Sequence, residues 1–237
     1  RYRPTKVNDI ILPEKIKTMI NYGLANNEFT HMILHSGKPG TGKTTTSRAI
    51  PEQLSVDYLF FPIAKRSMDI IDSIQSFSMQ KLTSNAPRFV ILDEADRPSD
   101  PGRFYSALQP MIEATETTLR FILNCNNIHI IPEAIRSRCA PISFAYNLND
   151  DNLRAQLNDR ISAILDAEVV AKGGTVNQDT VKIIIDHYSP DIRATLQALY
   201  INFLENQGSI DGKPTLITFD VIEAIANYMR KADFINM

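Results

Sequence analysis

The stretch "HMILHSGKPGTGKTTTSRAI", residues 31–50, decides the fold. It opens on a short apolar run, turns glycine-rich, and ends in helix-forming residues. Within it "GKPGTGKT", Gly37 to Thr44, matches the spacing G-x-x-x-x-G-K-[ST] at Gly37, Gly42, Lys43 and Thr44. Glycines at these places let the backbone turn tightly, so its N–H groups can surround phosphate oxygens. The helix that follows adds the partial positive charge of its N-terminus. Lys43 then reaches the β- and γ-phosphates as a compact cation, and the Thr44 hydroxyl ligates Mg²⁺. The expected nucleotide-binding set is Gly37, Lys38, Pro39, Gly40, Thr41, Gly42, Lys43, Thr44 and Thr45. Pro51 should end or kink the helix near Ile50, since a proline inside a helix removes a hydrogen bond.

Outward from the loop, apolar runs rich in β-branched and aromatic residues recur at 31–35, 56–63, 88–93, 119–125 and 141–146. Patterned, helix-length stretches at 43–50, 68–82, 102–115 and 129–137 separate them, and a further helix over 14–25 precedes the first run. Continuous apolar strands alternating with helices imply a parallel sheet covered on both faces. After residue 146 the texture changes. "NLNDDN" is polar and acidic, and periodic apolar positions mark helices over 150–167, 178–187, 190–205 and 219–231. An α/β domain over 1–147 followed by a small helical domain over 148–237 is the expected organisation.

Two strand ends carry polar side chains suited to a phosphate site. "RFVILDEAD" places Asp93 and Glu94 at the exit of an apolar strand. The first carboxylate is expected to hold Mg²⁺ and the second to orient an attacking water. Asp96 reads only as a cap or turn residue. "LRFILNCNN" ends a later strand with three asparagines, of which Asn126 is the expected γ-phosphate donor; Asn124 points inward and Asn127 starts the turn.

"YRP" (2–4), "GKPGTGKT", "ILDEAD", "ILNCNN", "SRC" (137–139) and "PDIRATLQAL" (190–199), in this order, resemble the AAA+ ATPase subunits of sliding-clamp loaders, the replication factor C family. The resemblance covers nearly the whole chain and is most similar to the large-subunit branch of T4-like bacteriophages. It implies an AAA+ core with a five-stranded parallel sheet, order 5-1-4-3-2, then a helical lid. It also implies a C-terminal collar lying outside this segment, which reads as part of a longer chain. By position, Asn126 matches the sensor-1 residue and Arg193 the sensor-2 arginine of the lid. Ser189 and Pro190 read as N-cap and first residue of the lid helix, which sets Arg193 about one turn in. Arg138, in "SRC", matches a finger that acts on a neighbouring subunit's nucleotide, while Arg136 has no catalytic role. Arg3, Pro4 and Ile11 are expected near the adenine. Gln109–Pro110 and Asp72 stand where relatives often carry basic residues. DNA contacts therefore do not transfer by position, and Lys65, Arg66, Lys81, Arg97 and Arg103 remain candidates.

The resemblance implies ATP and Mg²⁺ as cofactors, and as partners a sliding clamp, primer–template DNA, copies of this chain and a small subunit. Two alternatives stay open: another AAA+ DNA motor (a branch-migration helicase or replication initiator), and a non-hydrolysing scaffold subunit. "YRP" and "SRC" argue against the first, and the loop lysine with its acidic strand end against the second.

Composition agrees. Residues 1–147 carry 17 Lys+Arg against 14 Asp+Glu, and residues 148–237 carry 8 against 13, so the first part is the one expected to meet an anion. No apolar run approaches the ~18–20 residues of a membrane span, and a cytoplasmic protein, in the host cell if phage-encoded, is expected. Cys125 and Cys139 form neither a disulfide scaffold nor a zinc site with the four histidines, and read as buried free thiols.

Overall fold

The computed structural model describes residues 3–63, 67–80, 87–145, 150–189 and 191–214. Five strands, β1 (Met32–His35), β2 (Tyr58–Pro62), β3 (Arg88–Asp93), β4 (Leu119–Cys125) and β5 (Ala140–Ser143), form one sheet in the order β2-β3-β4-β1-β5. Every neighbouring pair is parallel. Read from the other edge this is the expected 5-1-4-3-2.

The burial of each strand follows its place. β3, β4 and β1 lie inside the sheet and are buried almost throughout, which explains their unbroken apolar runs. β2 and β5 form the edges and are partly exposed. Alternate side chains serve two cores. Phe89, Ile91, Ile122, Met32 and Leu34 pack with α1 (Glu14–Asn26) and α2 (Lys43–Leu54). Val90, Leu92, Phe121, Leu123 and Ile33 pack on the other face with α3 (Ser67–Ser78), α4 (Pro101–Ala114) and α5 (Glu133–Arg136). At roughly 25 cal/mol per Å² of buried apolar area, these two cores supply the main stabilisation of the sheet.

Local chemistry sets several element ends. Asp100 caps α4 by accepting from the Arg103 N–H at 3.1 Å, and Pro101 takes the first position, where a missing N–H costs nothing. The residue before α2 is Gly42, whose φ of 94° is easy only for glycine.

α2 also corrects an expectation. It runs on to Leu54 with Pro51 inside it rather than ending near Ile50. Pro51 falls in the last turn, where it removes a single bond, and its ring and Ile50 are both buried.

α6 (Asp151–Glu168), α7 (Gln178–Tyr188) and α8 (Ile192–Glu205) follow. The fourth expected helix, over 219–231, lies outside the described residues. The chain divides into two units, Arg1–Asp159 and Arg160–Met237, so the division falls within α6. In the first unit, the early turns of α6 are held by Gln156, which accepts from Lys17 Nζ at 2.6 Å and donates to the Leu12 carbonyl at 3.3 Å. In the second, Asn177 caps α7 through the N–H groups of Asp179 and Thr180. Asp191 caps α8 through the Ala194 N–H at 3.0 Å. That cap replaces the expected one at Ser189, whose hydroxyl instead donates back to the Ile185 carbonyl, while Pro190 lies outside the described residues. A carboxylate is a stronger acceptor for a helix N-terminus than a hydroxyl already committed elsewhere. Arg193 is therefore the second residue of α8, and it is exposed.

Candidate nucleotide site

The loop between β1 and α2 lies at the C-terminal ends of the parallel strands, where open α/β sheets bind ligands. Gly40 and Gly42 have φ values of 73° and 94°, the left-handed backbone that the turn needs. Ser36, which the sequence reading passed over, organises the loop from beneath. Its hydroxyl donates to the Lys38 carbonyl at 2.6 Å, which leaves Thr41 Oγ1, 3.0 Å away, as the donor between those two hydroxyls.

Lys43 is only 8% exposed. Its ammonium donates to Ser36 Oγ at 2.7 Å, to the Lys38 carbonyl at 3.2 Å and to Asn126 Oδ1 at 2.9 Å. The last bond joins residues 83 positions apart and brings the asparagine chosen at the β4 end onto the loop lysine. Three oxygens around one cation form a preset acceptor shell that phosphate oxygens can replace. His35, at the end of β1, lies close enough to be affected. Burial first, then the Lys43 charge, then His129 hold its imidazole below the usual range, so it is neutral at pH 7.

The proposed metal pair is also in contact. Thr44 Oγ1 donates to Asp93 Oδ1 at 2.9 Å. The same carboxylate oxygen accepts from Asn124 Nδ2 at 2.9 Å, and that amide also donates to Ser47 Oγ at 2.9 Å. Asn124 is 1% exposed, in agreement with its inward direction, and it fixes the carboxylate beside the loop helix. Asn124 and Ser47 were not legible as site residues, and a buried asparagine in an otherwise apolar strand was the one available signal. A hydroxyl and a carboxylate suit a small hard cation such as Mg²⁺, which usually takes one or two carboxylates and completes its shell with phosphate and water. Among the described residues no cluster of three or more His, Cys, Asp and Glu side chains competes for a metal ion.

Glu94 is the first residue beyond β3. It is exposed and has a φ of 55°, uncommon for a residue other than glycine. The turn that contains it is tied down: the Ala95 N–H donates to the Asn124 carbonyl at 2.8 Å, the Arg97 N–H to the Glu94 carbonyl at 2.9 Å, and the Tyr105 hydroxyl to the Ala95 carbonyl at 2.6 Å. Asp96 is more than a turn residue. It is 7% exposed, and its Oδ2 accepts from the backbone N–H groups of Asn126 at 3.1 Å and Asn127 at 2.9 Å. Asn127 begins a 3₁₀ turn over Ile128–Ile130, accepting from the His129 N–H, as its place in the sequence suggests.

The remaining candidates sit as follows. Arg3 donates from Nε to Thr45 Oγ1 at 3.2 Å, which brings the N-terminal segment to the loop helix; Pro4 is partly buried and Ile11 buried. Arg138 lies in the turn after α5, which stops at Arg136. Its guanidinium donates to the Ala134 carbonyl and pairs with Glu113 of α4 at 2.6 Å. It joins none of the bonds linking Lys43, Thr44, Asp93 and Asn126 among the described residues. Arg97 and Arg103 are exposed, whereas Lys65, Arg66 and Lys81 lie outside the described residues. Both cysteines are free and buried, and burial pushes each thiol up to about 12, so neither is a nucleophile. No helix among the described residues is long and apolar enough to cross a membrane.

Residues 33–145 match the family model described as "ATPase family associated with various cellular activities (AAA)". The chain is 27% identical to the sliding-clamp-loader large subunit of Enterobacteria phage T4 over 96% of its own length and 72% of that protein. It is 31% identical to a replication factor C small subunit of Natronomonas pharaonis, over 84% of this chain and 60% of that one. Among solved structures, the Holliday junction branch migration motor RuvB of Thermotoga maritima superposes with a TM-score of 0.62 at 14% identity, covering 89% of this chain and 69% of that one; this likeness is one of fold alone. In its fold, its loop and these relatives, the chain is similar to the AAA ATPases, and among them to the sliding-clamp-loader and replication factor C subunits.

Proposed function

We propose that this chain is an ATPase subunit of a DNA polymerase sliding-clamp loader, coupling ATP binding and hydrolysis to clamp opening and loading on primer–template DNA. The supporting observation is the pair of contacts Lys43–Asn126 and Thr44–Asp93, which gather two strand ends over one phosphate loop. In this reading residues 1–147 are the ATPase core and 148–237 the lid. The backbone from Gly37 to Thr45 cradles the phosphates, with Arg3, Pro4 and Ile11 beside the adenine. Lys43 neutralises charge on the β- and γ-phosphates. Thr44 and Asp93 hold Mg²⁺, which supplies charge neutralisation when bound. Glu94 accepts a hydrogen bond from the attacking water, and Asn126 donates to the γ-phosphate once its contact with Lys43 is exchanged. Arg193 reaches the nucleotide from the lid, and Arg138 serves a neighbour's site.

The partners are a clamp, further loader subunits including copies of this chain and a small subunit, and DNA. DNA is held through its backbone, with salt-dependent and sequence-tolerant affinity, and Arg97 and Arg103 are the described candidates. The place of action is the cytoplasm, that of the host if the chain is phage-encoded.

The test is Glu94→Gln in the assembled loader. ATP binding should persist while hydrolysis falls by about 10²-fold or more, the scale of losing general-base assistance. Wild-type hydrolysis should rise with clamp plus primer–template and not with four-way junction DNA. Unchanged turnover in Glu94→Gln would overturn the enzymatic reading.

A further inference from the structure

Asp96 has no part in the roles above, yet it occupies the joint between the two polar strand ends. β3 and β4 are paired only as far as Leu92 and Leu123. Beyond that rung the chains part, one towards Glu94 and the other towards Asn126. Besides the side-chain bond from Asn124 to Asp93, two connections bridge them among the described residues. One is the backbone bond from the Ala95 N–H to the Asn124 carbonyl at 2.8 Å, and the other is Asp96. The Asp96 carboxylate places both of its hydrogen bonds on one oxygen, Oδ2, and both come from the backbone of the Asn126 loop. Its second oxygen, Oδ1, is buried without a partner.

A carboxylate buried this deeply is costly, and no cation pairs with it among the described residues. Such a cost is unexpected in an ordinary turn, where an exposed side chain would cap as well. It is understandable where two N–H groups must be held on one acceptor. An ionised carboxylate only accepts, so unlike a hydroxyl it cannot turn a donor towards them.

We propose that Asp96 is a positioning residue, locking the exit of β4 that carries Asn126 to the turn that carries Glu94. The consequence is geometric. Asn126 Oδ1 meets Lys43 because its backbone N–H is pinned, and the pin is attached two residues beyond Glu94. The water-orienting carboxylate and the phosphate-facing amide therefore keep one separation, although they lie on different strands. Asp96 itself touches neither nucleotide nor metal ligand in this arrangement, and its effect should fall on turnover rather than on binding.

The inference rests on the roles proposed above for Glu94 and Asn126. Its test uses the full chain assembled with its partner subunits, with Asp96→Ala, Asp96→Asn and Asp96→Glu set beside Glu94→Gln. Fluorescent ADP titration reads binding, and single-turnover ATP hydrolysis reads the chemical step. Asp96→Ala should keep ADP affinity within about 3-fold and lose roughly 10–100-fold in hydrolysis, the scale expected when catalytic groups shift by about 1 Å. Asp96→Asn, whose amide oxygen can accept both N–H groups, should recover most of that loss. Asp96→Glu preserves charge and moves the oxygen by one methylene, so it should stay slow; it decides the matter if the alanine variant does not fold. Hydrolysis at the wild-type rate in Asp96→Glu, or equal loss of ADP binding and hydrolysis in all three variants, overturns the proposal. If Glu94→Gln hydrolyses normally, the functional reading itself fails, whatever the Asp96 variants do.

Discussion

At the residue scale, the site is a set of short hydrogen bonds between groups far apart in sequence, and Asn124 shows what they do. Its amide spans Asp93 Oδ1 and Ser47 Oγ, so the carboxylate is aimed before any cation arrives. Groups that orient a metal ligand typically change metal affinity by 10–100-fold when removed. Asn124→Ala should therefore raise the Mg²⁺ concentration for half-maximal ATP hydrolysis by about 10-fold. A Mg²⁺ titration at saturating ATP checks it, and hydrolysis at high Mg²⁺ should return towards the wild-type rate. Asp93→Asn should not be rescued in this way, because it removes the ligand rather than its support. An unshifted Mg²⁺ midpoint in Asn124→Ala would restrict that residue to packing.

At the element scale, β1 is joined to its neighbours partly through His31, just before the strand begins. Its Nδ1 accepts the Phe121 N–H at 3.1 Å and its carbonyl accepts the Ala140 N–H at 2.8 Å, so one residue ties β4 and β5 to the sheet centre. Burial first, then Arg120, lower its pKa, against a smaller opposing effect of Glu116. A lowered folded-state value means that the unfolded chain takes up the proton more readily. The contribution to stability is then complete above the ordinary histidine value of 6.5 and is lost as pH falls below it. Protonation would also turn Nδ1 from acceptor to donor and break its bond with Phe121. The thermal midpoint should drop on going from pH 7 to pH 5, and by about 2–4 °C less in His31→Asn, which keeps an acceptor without a titrating ring. Calorimetry at the two pH values measures the difference. The same scale explains what could be read in advance. β3, β4 and β1 announced themselves because burial on both faces demands unbroken apolar runs, and the loop did so because only glycine fits its turns. Ser36, Asn124, Ser47 and Asp96 gave no periodic signal. Their partners are set by the fold, 77 residues away in the case of Asn124 and Ser47. The end of α2 and the cap of α8 were misplaced because one internal proline and one hydroxyl were weighed without the packing and competing acceptors that decide between neighbouring positions.

At the scale of the whole molecule, the role proposed for Arg138 in a neighbour's site entails that one chain alone holds an incomplete catalytic site. Lys43 is bonded to Asn126 and Thr44 to Asp93, while Arg138 is bound to Glu113 of α4 on a half-exposed surface. An ion pair so exposed contributes about 0–1 kcal/mol, so the guanidinium can leave it for a more highly charged phosphate group presented by another subunit. In head-to-tail association each subunit offers one surface to the next, and a residue on the far side of one site can complete its neighbour's. The isolated chain should accordingly bind ATP yet hydrolyse it slowly, with turnover rising as subunits assemble. An arginine supplied in trans is typically worth 10³–10⁵ in rate, so assemblies made only of Arg138→Ala subunits should fall by about 10³-fold with ATP binding intact. Mixing gives the decisive measurement. Arg138→Ala and Glu94→Gln subunits should each be inactive alone, but together they should regain activity. Wherever an Arg138→Ala subunit contributes the site and a Glu94→Gln neighbour contributes the arginine, all groups are present, which holds at about a quarter of interfaces in an equal random mixture. If the arginine acted within its own chain, every subunit in that mixture would lack one essential group, and the mixture would stay as inactive as its components.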